Sequence, residues 1–155
     1  MKKRQLFLLL LVITCLIFPN VTYAKDMKKA GKIVVVSGEV DVQKNKGKKT
    51  FKAFKNMAFT QGDTIITGAK SSATLHIDNN KQVEVSANTK LVVKKLLSSV
   101  KAKSGKTDLT LSGGKVKVKI SKKLEGESKF DIQTPNAIMG VMGTEFYVYY
   151  DSNGE

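Results

Sequence analysis

Few residues in this 155-residue chain are of types that carry out chemistry. His76 is the single histidine, and the alternation of polar and apolar residues around it predicts the polar face of a strand, where a histidine is typically solvated. Catalysis by paired carboxylates needs two acidic groups held close together. No spacing selects such a pair among the acidic residues considered, which are Asp63, Asp78, Glu84, Asp131 and Glu145. The sequence therefore predicts no catalytic residues, and we expect a protein that is not an enzyme.

Residues that commonly hold metals and cofactors are also scarce. One cysteine, Cys15, and one histidine exclude a zinc or iron–sulfur site built from several such residues. The segment Gly140–Gly143 lacks the spacing of a phosphate-binding loop, and we interpret it as a tight bend before the strand that contains Phe146. Gly62-Asp63 is interpreted as a turn, because Asp caps nearby backbone and Gly tolerates a positive φ. We expect no metal and no cofactor.

Lysine dominates the charge of the chain. There are 27 Lys and Arg residues against 13 Asp and Glu, the formal net charge is +14, and Arg4 is the single arginine. Because arginine suits bidentate reading of bases whereas lysine acts as a point charge, this composition disfavours a sequence-specific nucleic-acid reader. In one segment lysines alternate with Val and Ile, and two more lysines follow. This candidate face for an anionic partner consists of Lys115, Lys117, Lys119, Lys122 and Lys123. The alternative is that these lysines only keep a strand soluble and prevent edge-to-edge pairing.

The first 24 residues have the features of a secretory signal peptide. A basic start precedes an apolar run from Leu6 to Phe18, which as a helix would be about 20 Å long and shorter than the roughly 30 Å hydrocarbon core. Small residues predict cleavage after Ala24; an uncleaved membrane anchor is the alternative. Cys15 lies within the apolar run, which disfavours lipidation. Cleavage removes three basic and no acidic residues, so the net charge falls from +14 to +11. We expect a secreted or extracytoplasmic protein of the cell envelope.

From residue 31 onwards, apolar residues recur at every second position. This period predicts strands with one buried and one wet face, and turn residues interrupt the runs about every 8 to 12 positions. We therefore predict an all-β fold, either a twisted sandwich or roll or a solenoid-like stack of short strands. A weak helical pattern covers residues 48–59, and residues 94–103 are ambiguous. Residues 25–61 are expected to form an N-terminal β segment that leads into a β domain over residues 62–155.

Motifs in the second of these segments resemble the FecR domain. The residues that carry the resemblance are Gly62, Asp63, Thr67, Gly68, Thr134, Pro135, Gly143, Thr144 and Phe146. The Gly-Asp, Thr-Pro and Gly-Thr-x-Phe pieces are fairly specific when they occur in this order, and the resemblance extends from Gly62 to Tyr149. Met142 stands where the family usually has Arg, so no role of that arginine is carried over. The resemblance implies that these motif residues are structural.

The same resemblance implies an exported, non-enzymatic β module for binding or signalling at the cell envelope. In the regulators of this family, a cytoplasmic N-terminal domain acts on a sigma factor. Only five residues precede the apolar run here, so we do not expect the anti-sigma activity. The expected partner is an envelope protein or an anionic envelope polymer, attracted by the lysines.

The end of the sequence suggests a second function. Residues 146–150 predict a strong strand and residues 151–154 a turn, with no returning strand, whereas FecR-like domains usually continue with another strand pair. Either the chain is a truncated form, or its last strand is an exposed edge that a partner covers. The alternative function is therefore an envelope scaffold that self-associates through this edge. A third function, non-specific nucleic-acid binding, fits the charge but not the predicted export, and we see no aromatic residues interleaved with the basic ones.

Overall fold

The structure, a computed structural model, describes residues 27–45, 47, 49–99, 104–141 and 145–151. The predicted signal peptide with Cys15, the motif residues Gly143 and Thr144, Met142 and most of the predicted C-terminal turn lie outside the described residues. All regular elements in the described part are strands, which confirms the predicted all-β fold. No helix that could cross a membrane is found there.

The described residues contain thirteen strands. In chain order they are β1 (Met27–Lys28), β2 (Ala30–Ser37), β3 (Val40–Gln43), β4 (Thr50–Lys52), β5 (Ala58–Thr60), β6 (Thr64–Thr67), β7 (Ser72–His76), β8 (Lys81–Val85), β9 (Lys90–Ser99), β10 (Ser104–Ile120), β11 (Lys129–Gln133), β12 (Ile138–Val141) and β13 (Glu145–Tyr150). Most are three to eight residues long, as expected for strands separated by frequent turn residues.

These strands form one curled, mostly antiparallel sheet. Its main path has the order β4-β3-β6-β9-β10-β8-β7-β2-β5; β1 joins β9, β11 and β13 join β10, and β12 joins β11. Among the described pairs, β10 and β11 are the exception and run parallel. The curled sheet is a half-barrel, within the all-β class predicted from the sequence. The strands of residues 25–61 are part of the same sheet, since β2 pairs with β7 and β3 with β6.

The long strand β10 is shared by both halves of the curled sheet. Its first half pairs with β9 and β11, whereas its second half, from Gly114 onwards, pairs with β8 and β13. The register with β9 shifts between Leu111 and Gly113, and Gly114 has a φ of 96°. A register irregularity followed by a glycine at positive φ is typical of a strand that bends sharply. The bend lets one strand serve two sets of partners.

The core consists of the apolar residues whose alternation predicts the strands. On β7, β8 and the second half of β10, every second residue is buried; apart from Lys81, these are the apolar residues Ala73, Leu75, Val83, Val85, Val116, Val118 and Ile120. Removal of such side chains from water is the main favourable contribution to folding, about 25 cal/mol per Å² of apolar surface. Phe59 is fully buried and lies over Gly31, where any side chain would collide with its ring.

The weak helical pattern over residues 48–59 does not give a helix in the described part of that segment. Instead β4 pairs with β3 and β5 pairs with β2, and the turn between them has Asn56 at a φ of 69°. Pairing with distant strands and burial of Phe59 override the local preference, as is common for short segments. Residues 94–99, the described part of the ambiguous segment, continue β9.

Candidate functional site

The second half of β10 separates its lysines from its apolar residues. Lys115 and Lys119 are exposed and Lys117 is half-buried, whereas Val116 and Val118 between them are buried. The alternation in the sequence predicts this separation, because successive side chains of a strand point to opposite faces. Three of the five lysines of the predicted anionic-partner face therefore lie together on the outside of the sheet.

The neighbouring strand β13 adds two tyrosines to this surface. Its register with β10 places Tyr149 opposite Lys115 and Tyr147 opposite Lys117. Tyr147 and Tyr149 are 59% and 64% exposed. Lys115 Nζ lies 4.6 Å from the centroid of the Tyr147 ring and Lys117 Nζ lies 5.3 Å from it, within the range of a cation–π interaction. We name the surface formed by Lys115, Lys117, Lys119, Tyr147 and Tyr149 the Lys–Tyr face.

Acidic neighbours neutralise the middle of the Lys–Tyr face. Glu145 forms an ion pair with Lys117, and Glu84 on β8 lies in register with the same lysine. The hydrogen bond from Lys117 lowers the pKa of Glu145, and the bonds of Lys117 to Glu145 and Tyr147 raise its own pKa. Both groups of the pair are therefore charged at neutral pH. The two ends of the row, Lys115 and Lys119, are its exposed cations.

Lys122 and Lys123 do not belong to the Lys–Tyr face. They follow the end of β10 and line a separate cavity of about 390 Å³ together with Lys29 and Lys81. The predicted set of five lysines is thus divided between two surfaces. The sequence does not separate them, because the hydrogen bonds between the backbone of Lys122 and the side chain of Asn80 join residues 42 positions apart.

The family-motif residues Gly62 and Asp63 form the predicted turn. Gly62 has a φ of 96°, and the Asp63 amide donates to the Thr60 carbonyl at 3.1 Å. The Asp63 carboxylate is 1% exposed and accepts hydrogen bonds from the amides of Thr60 and Asn45 and from Lys44 Nζ at 2.7 Å. This carboxylate joins the segment of Lys44 and Asn45 to the turn that begins at Thr60.

Thr67 and Gly68 connect β6 to the turn before β9. The Thr67 hydroxyl donates to the Ser86 carbonyl and accepts from the Thr89 amide, at 2.5 and 3.0 Å. The Asn88 amide donates to the Gly68 carbonyl at 3.1 Å. The turn at Asn88 and Thr89 is thus held from both sides, directly against the bend of β10.

The described motif residues near the C-terminus lie in a turn and against the core. Thr134 and Pro135 lie in the hairpin turn between β11 and β12, where the Thr134 amide donates to the Ala137 carbonyl at 2.8 Å and the Ala137 amide donates to the Thr134 hydroxyl at 3.1 Å. Phe146 is half-buried and packs against the core. Gly140 belongs to β12, and the predicted bend after it lies largely outside the described residues.

The residues considered for chemistry do not form a common site in the described part of the chain. His76 is exposed on β7, in register with Gln82 and Lys32, which confirms its predicted place on the polar face. One close acidic pair is present that the sequence does not reveal, since Asp131 lies in register with Asp108 across the parallel strands β10 and β11. Burial and the charge of Asp131 raise the pKa of Asp108. No group of three or more His, Cys, Asp or Glu residues able to hold a metal occurs among the described residues.

One premise of the sequence-based reasoning requires correction. The sequence shows no aromatic residues interleaved with basic ones, yet Tyr147 and Tyr149 lie directly beside the lysines of β10. About thirty positions separate the two groups in the chain, and only the pairing of β10 with β13 brings them together. The alternation in residues 145–150 could have indicated exposed tyrosines, but not which strand they would adjoin.

Comparison with known proteins agrees with the sequence motifs. The family model described as FecR protein matches residues 63–154. No match was found among curated proteins or among solved structures.

Proposed function

Because this chain belongs to the FecR family, which is associated with signalling at the cell envelope, we propose that it is an exported, non-enzymatic binding module. Residues 1–24 act as the signal peptide, and the β domain binds an anionic polymer of the envelope. The Lys–Tyr face is the binding surface. The observation that carries the proposal is the juxtaposition of exposed lysines and exposed tyrosines on neighbouring strands.

The geometry of the Lys–Tyr face suits an extended, repeatedly charged ligand. Lys115 and Lys119, the two exposed lysines, are four residues apart on one strand and therefore about 13 Å from each other, so they can contact anionic groups repeated at that distance along a polymer. Tyr147 and Tyr149 supply flat apolar surface with a polar hydroxyl end, which suits contact with the uncharged part of the same chain. Long-range attraction between the positively charged protein and an anionic envelope also raises the rate at which the two meet.

The first test is the salt dependence of binding to isolated cell envelopes. We expect the protein to co-sediment with envelopes in about 0.01 M salt and to remain in solution in about 1 M salt, because the screening length falls from about 30 to about 3 Å. Lys115→Gln/Lys119→Gln should weaken the binding about tenfold, since two exposed charge contacts of about 0.7 kcal/mol each sum to that factor.

A matched variant separates the face from the net charge. Lys90→Gln/Lys94→Gln removes the same charge from two exposed positions of β9, and we expect it to bind almost as the unchanged protein does. Equal weakening by both double variants would show that overall charge, and not the Lys–Tyr face, is responsible. Binding that is the same at both salt concentrations would overturn the proposal.

A second candidate function is self-association through β13. Among the described residues this strand pairs with β10 only, so its other edge has unpaired backbone groups beside two exposed tyrosines. An edge of this kind can add a strand from a second molecule. Such pairing would make the domain a building unit of an envelope assembly.

Analytical ultracentrifugation tests this candidate. We expect the sedimentation coefficient to rise with protein concentration, and Tyr147→Lys/Tyr149→Lys to restore a monomer because charged edge residues oppose strand pairing. Phe54→Lys is the control, since it changes another exposed aromatic residue outside the strands. A single monomeric species over the whole concentration range would exclude assembly through β13 and leave the binding module as the function.

A further inference from the structure

We propose that the cavity lined by Lys29, Lys81, Lys122 and Lys123 is a second anion site that binds a phosphate group. We name it the lysine cleft. It is separate from the Lys–Tyr face, and the inference does not depend on the function proposed for that face.

Four parts of the chain line the lysine cleft. Lys29 lies between β1 and β2, and a second part is the β7–β8 hairpin with Asp78, Asn80 and Lys81. Residues 122–125 and Ser128 come from the connection after β10, and Ser98, Ser104 and Gly105 come from the ends of β9 and β10 that face each other. The volume of about 390 Å³ lies within the range of about 300 to 1,000 Å³ that is usual for small-ligand sites. It has room for a phosphate together with the alcohol it esterifies.

Hydrogen bonds within the protein hold the cleft in place before any ligand binds. The Asn80 side chain donates to the Lys122 carbonyl at 2.9 Å and accepts from the Lys122 amide, and the Ser121 amide donates to the Asn80 carbonyl at 2.9 Å. These bonds fix the backbone from which the side chains of Lys122 and Lys123 extend. Preorganised backbone lowers the entropic cost of binding.

Lys81 is the buried member of the cleft. Its side chain is only 7% exposed, and its Nζ lies 2.7 Å from Asp78 Oδ2, which also accepts from Lys29 Nζ at 3.1 Å. Burial opposes ionisation of Asp78, but the hydrogen bonds from Lys81, the Asn80 amide and Lys29 outweigh it and lower the pKa of the carboxyl. One carboxylate is thus shared by two ammonium groups, which leaves this end of the cleft positive.

The remaining lining groups also favour an anion. Glu125 is the second acidic residue in the lining, so four lysines face two carboxylates and the cleft has an excess of two positive charges. Lys122 and Lys123 are exposed, and neither has an ion-pair partner among the described residues. The Ser128 hydroxyl accepts from the Gly105 amide at 3.2 Å, so its own hydrogen remains available to donate.

Phosphate is the anion that fits this set of donors best. Lysines from three parts of the chain and serine hydroxyls line the cleft, which suits the several oxygens of a tetrahedral phosphate. Lysine commonly binds phosphate as a point charge, without the bidentate geometry of arginine. The phosphate could belong to a lipid headgroup or to a soluble or polymer-borne ester.

The test is a titration of the protein with inorganic phosphate at constant ionic strength, followed by NMR of the backbone amides. We expect saturable shifts at Asn80, Gly105 and Ser128, and no such shifts with chloride. Lys122→Gln/Lys123→Gln should weaken phosphate binding about tenfold, because two charge-assisted contacts are lost. The variant should fold, since both side chains are exposed and the Asn80 bonds involve only backbone of this segment.

The double variant Lys115→Gln/Lys119→Gln serves as the matched control, and we expect phosphate affinity to change by less than about twofold, because these lysines lie outside the cleft. Equal weakening by both variants, or identical shifts with phosphate and chloride, would overturn the inference. If phosphate fails to bind while binding to envelopes persists, the lysine cleft is refuted and the Lys–Tyr face is unaffected.

Vesicles distinguish the two sources of phosphate. If the protein co-sediments with vesicles of phosphatidylcholine and phosphatidylglycerol, and Lys122→Gln/Lys123→Gln abolishes the co-sedimentation, the site recognises a lipid headgroup. Phosphate-specific shifts without vesicle binding support the inference equally and assign the site to a soluble or polymer-borne phosphate.

Discussion

Gly114→Ala should lower the free energy of unfolding by about 3 kcal/mol or more. At a φ of 96° an L side chain is strained, and the added Cβ would lie 2.6 Å from Thr89 Cα and 2.7 Å from the Asn88 carbonyl oxygen. These are backbone atoms, and the hydrogen bonds that the Thr89 and Asn88 amides donate to Thr67 and Gly68 hold them in place. The turn therefore cannot move aside. Urea denaturation of the purified protein measures the change.

Gly105→Ala is the matched control for this prediction, because it makes the same substitution on the same strand. At Gly105 the nearest atoms to an added Cβ are the Leu97 carbonyl oxygen at 3.6 Å and Lys81 Nζ at 3.7 Å, both ordinary contacts. We expect Gly105→Ala to change the free energy of unfolding by no more than about 1 kcal/mol. If Gly114→Ala were as mild as Gly105→Ala, the bend of β10 would not depend on glycine.

Asp63→Ala should destabilise the fold by about 3 kcal/mol. The substitution removes the acceptor of the Asn45 and Thr60 amides and the buried partner of Lys44. Each unsatisfied donor costs about 1–3 kcal/mol where water cannot replace the lost partner. Lys44 itself is about one-third exposed and can turn to solvent, so the loss arises chiefly from the two amides. Asp63→Asn retains one acceptor oxygen. Its free energy of unfolding, measured by urea denaturation, should lie between those of the unchanged protein and Asp63→Ala.

Asp41→Ala supplies the comparison for Asp63. Asp41 also pairs with a lysine, Lys52, but the side chain of Asp41 is 34% exposed and that of Lys52 is 71% exposed. Exposed pairs of this kind contribute about 0.2–1 kcal/mol. Similar losses for Asp41→Ala and Asp63→Ala would contradict the structural role assigned to the Gly-Asp motif.

Several features are predictable from the sequence because they depend only on neighbouring residues. The alternation from Lys115 to Ile120 separates a wet from a buried face in any antiparallel sheet, so the outward lysines follow from the pattern alone. The turn at Gly62-Asp63 likewise follows from local chemistry, the glycine φ and the capping carboxylate. His76 on the polar face of β7 is a third case.

Other features depend on which distant strands pair, and local patterns do not contain that information. The weak helical signal over residues 48–59 fails because β4 and β5 find partners in β3 and β2. Asp108 and Asp131 are neighbours because β10 and β11 pair in parallel. Parallel strands are not joined by a tight hairpin turn, so no local turn motif fixes their register. A register shift of one residue would have moved Asp131 to the opposite face.

In the candidate sites too, some features depend on neighbouring residues and others on the pairing of distant strands. By itself the sequence determines an all-β chain of the FecR family, rich in lysine and poor in residues for catalysis, because period, composition and motif are properties of short segments. The tertiary structure alone decides that Tyr147 and Tyr149 join the lysines of β10, and that Lys122 and Lys123 turn away to meet Lys29 and Lys81. Both outcomes result from non-local strand pairing and from hydrogen bonds between segments about forty residues apart.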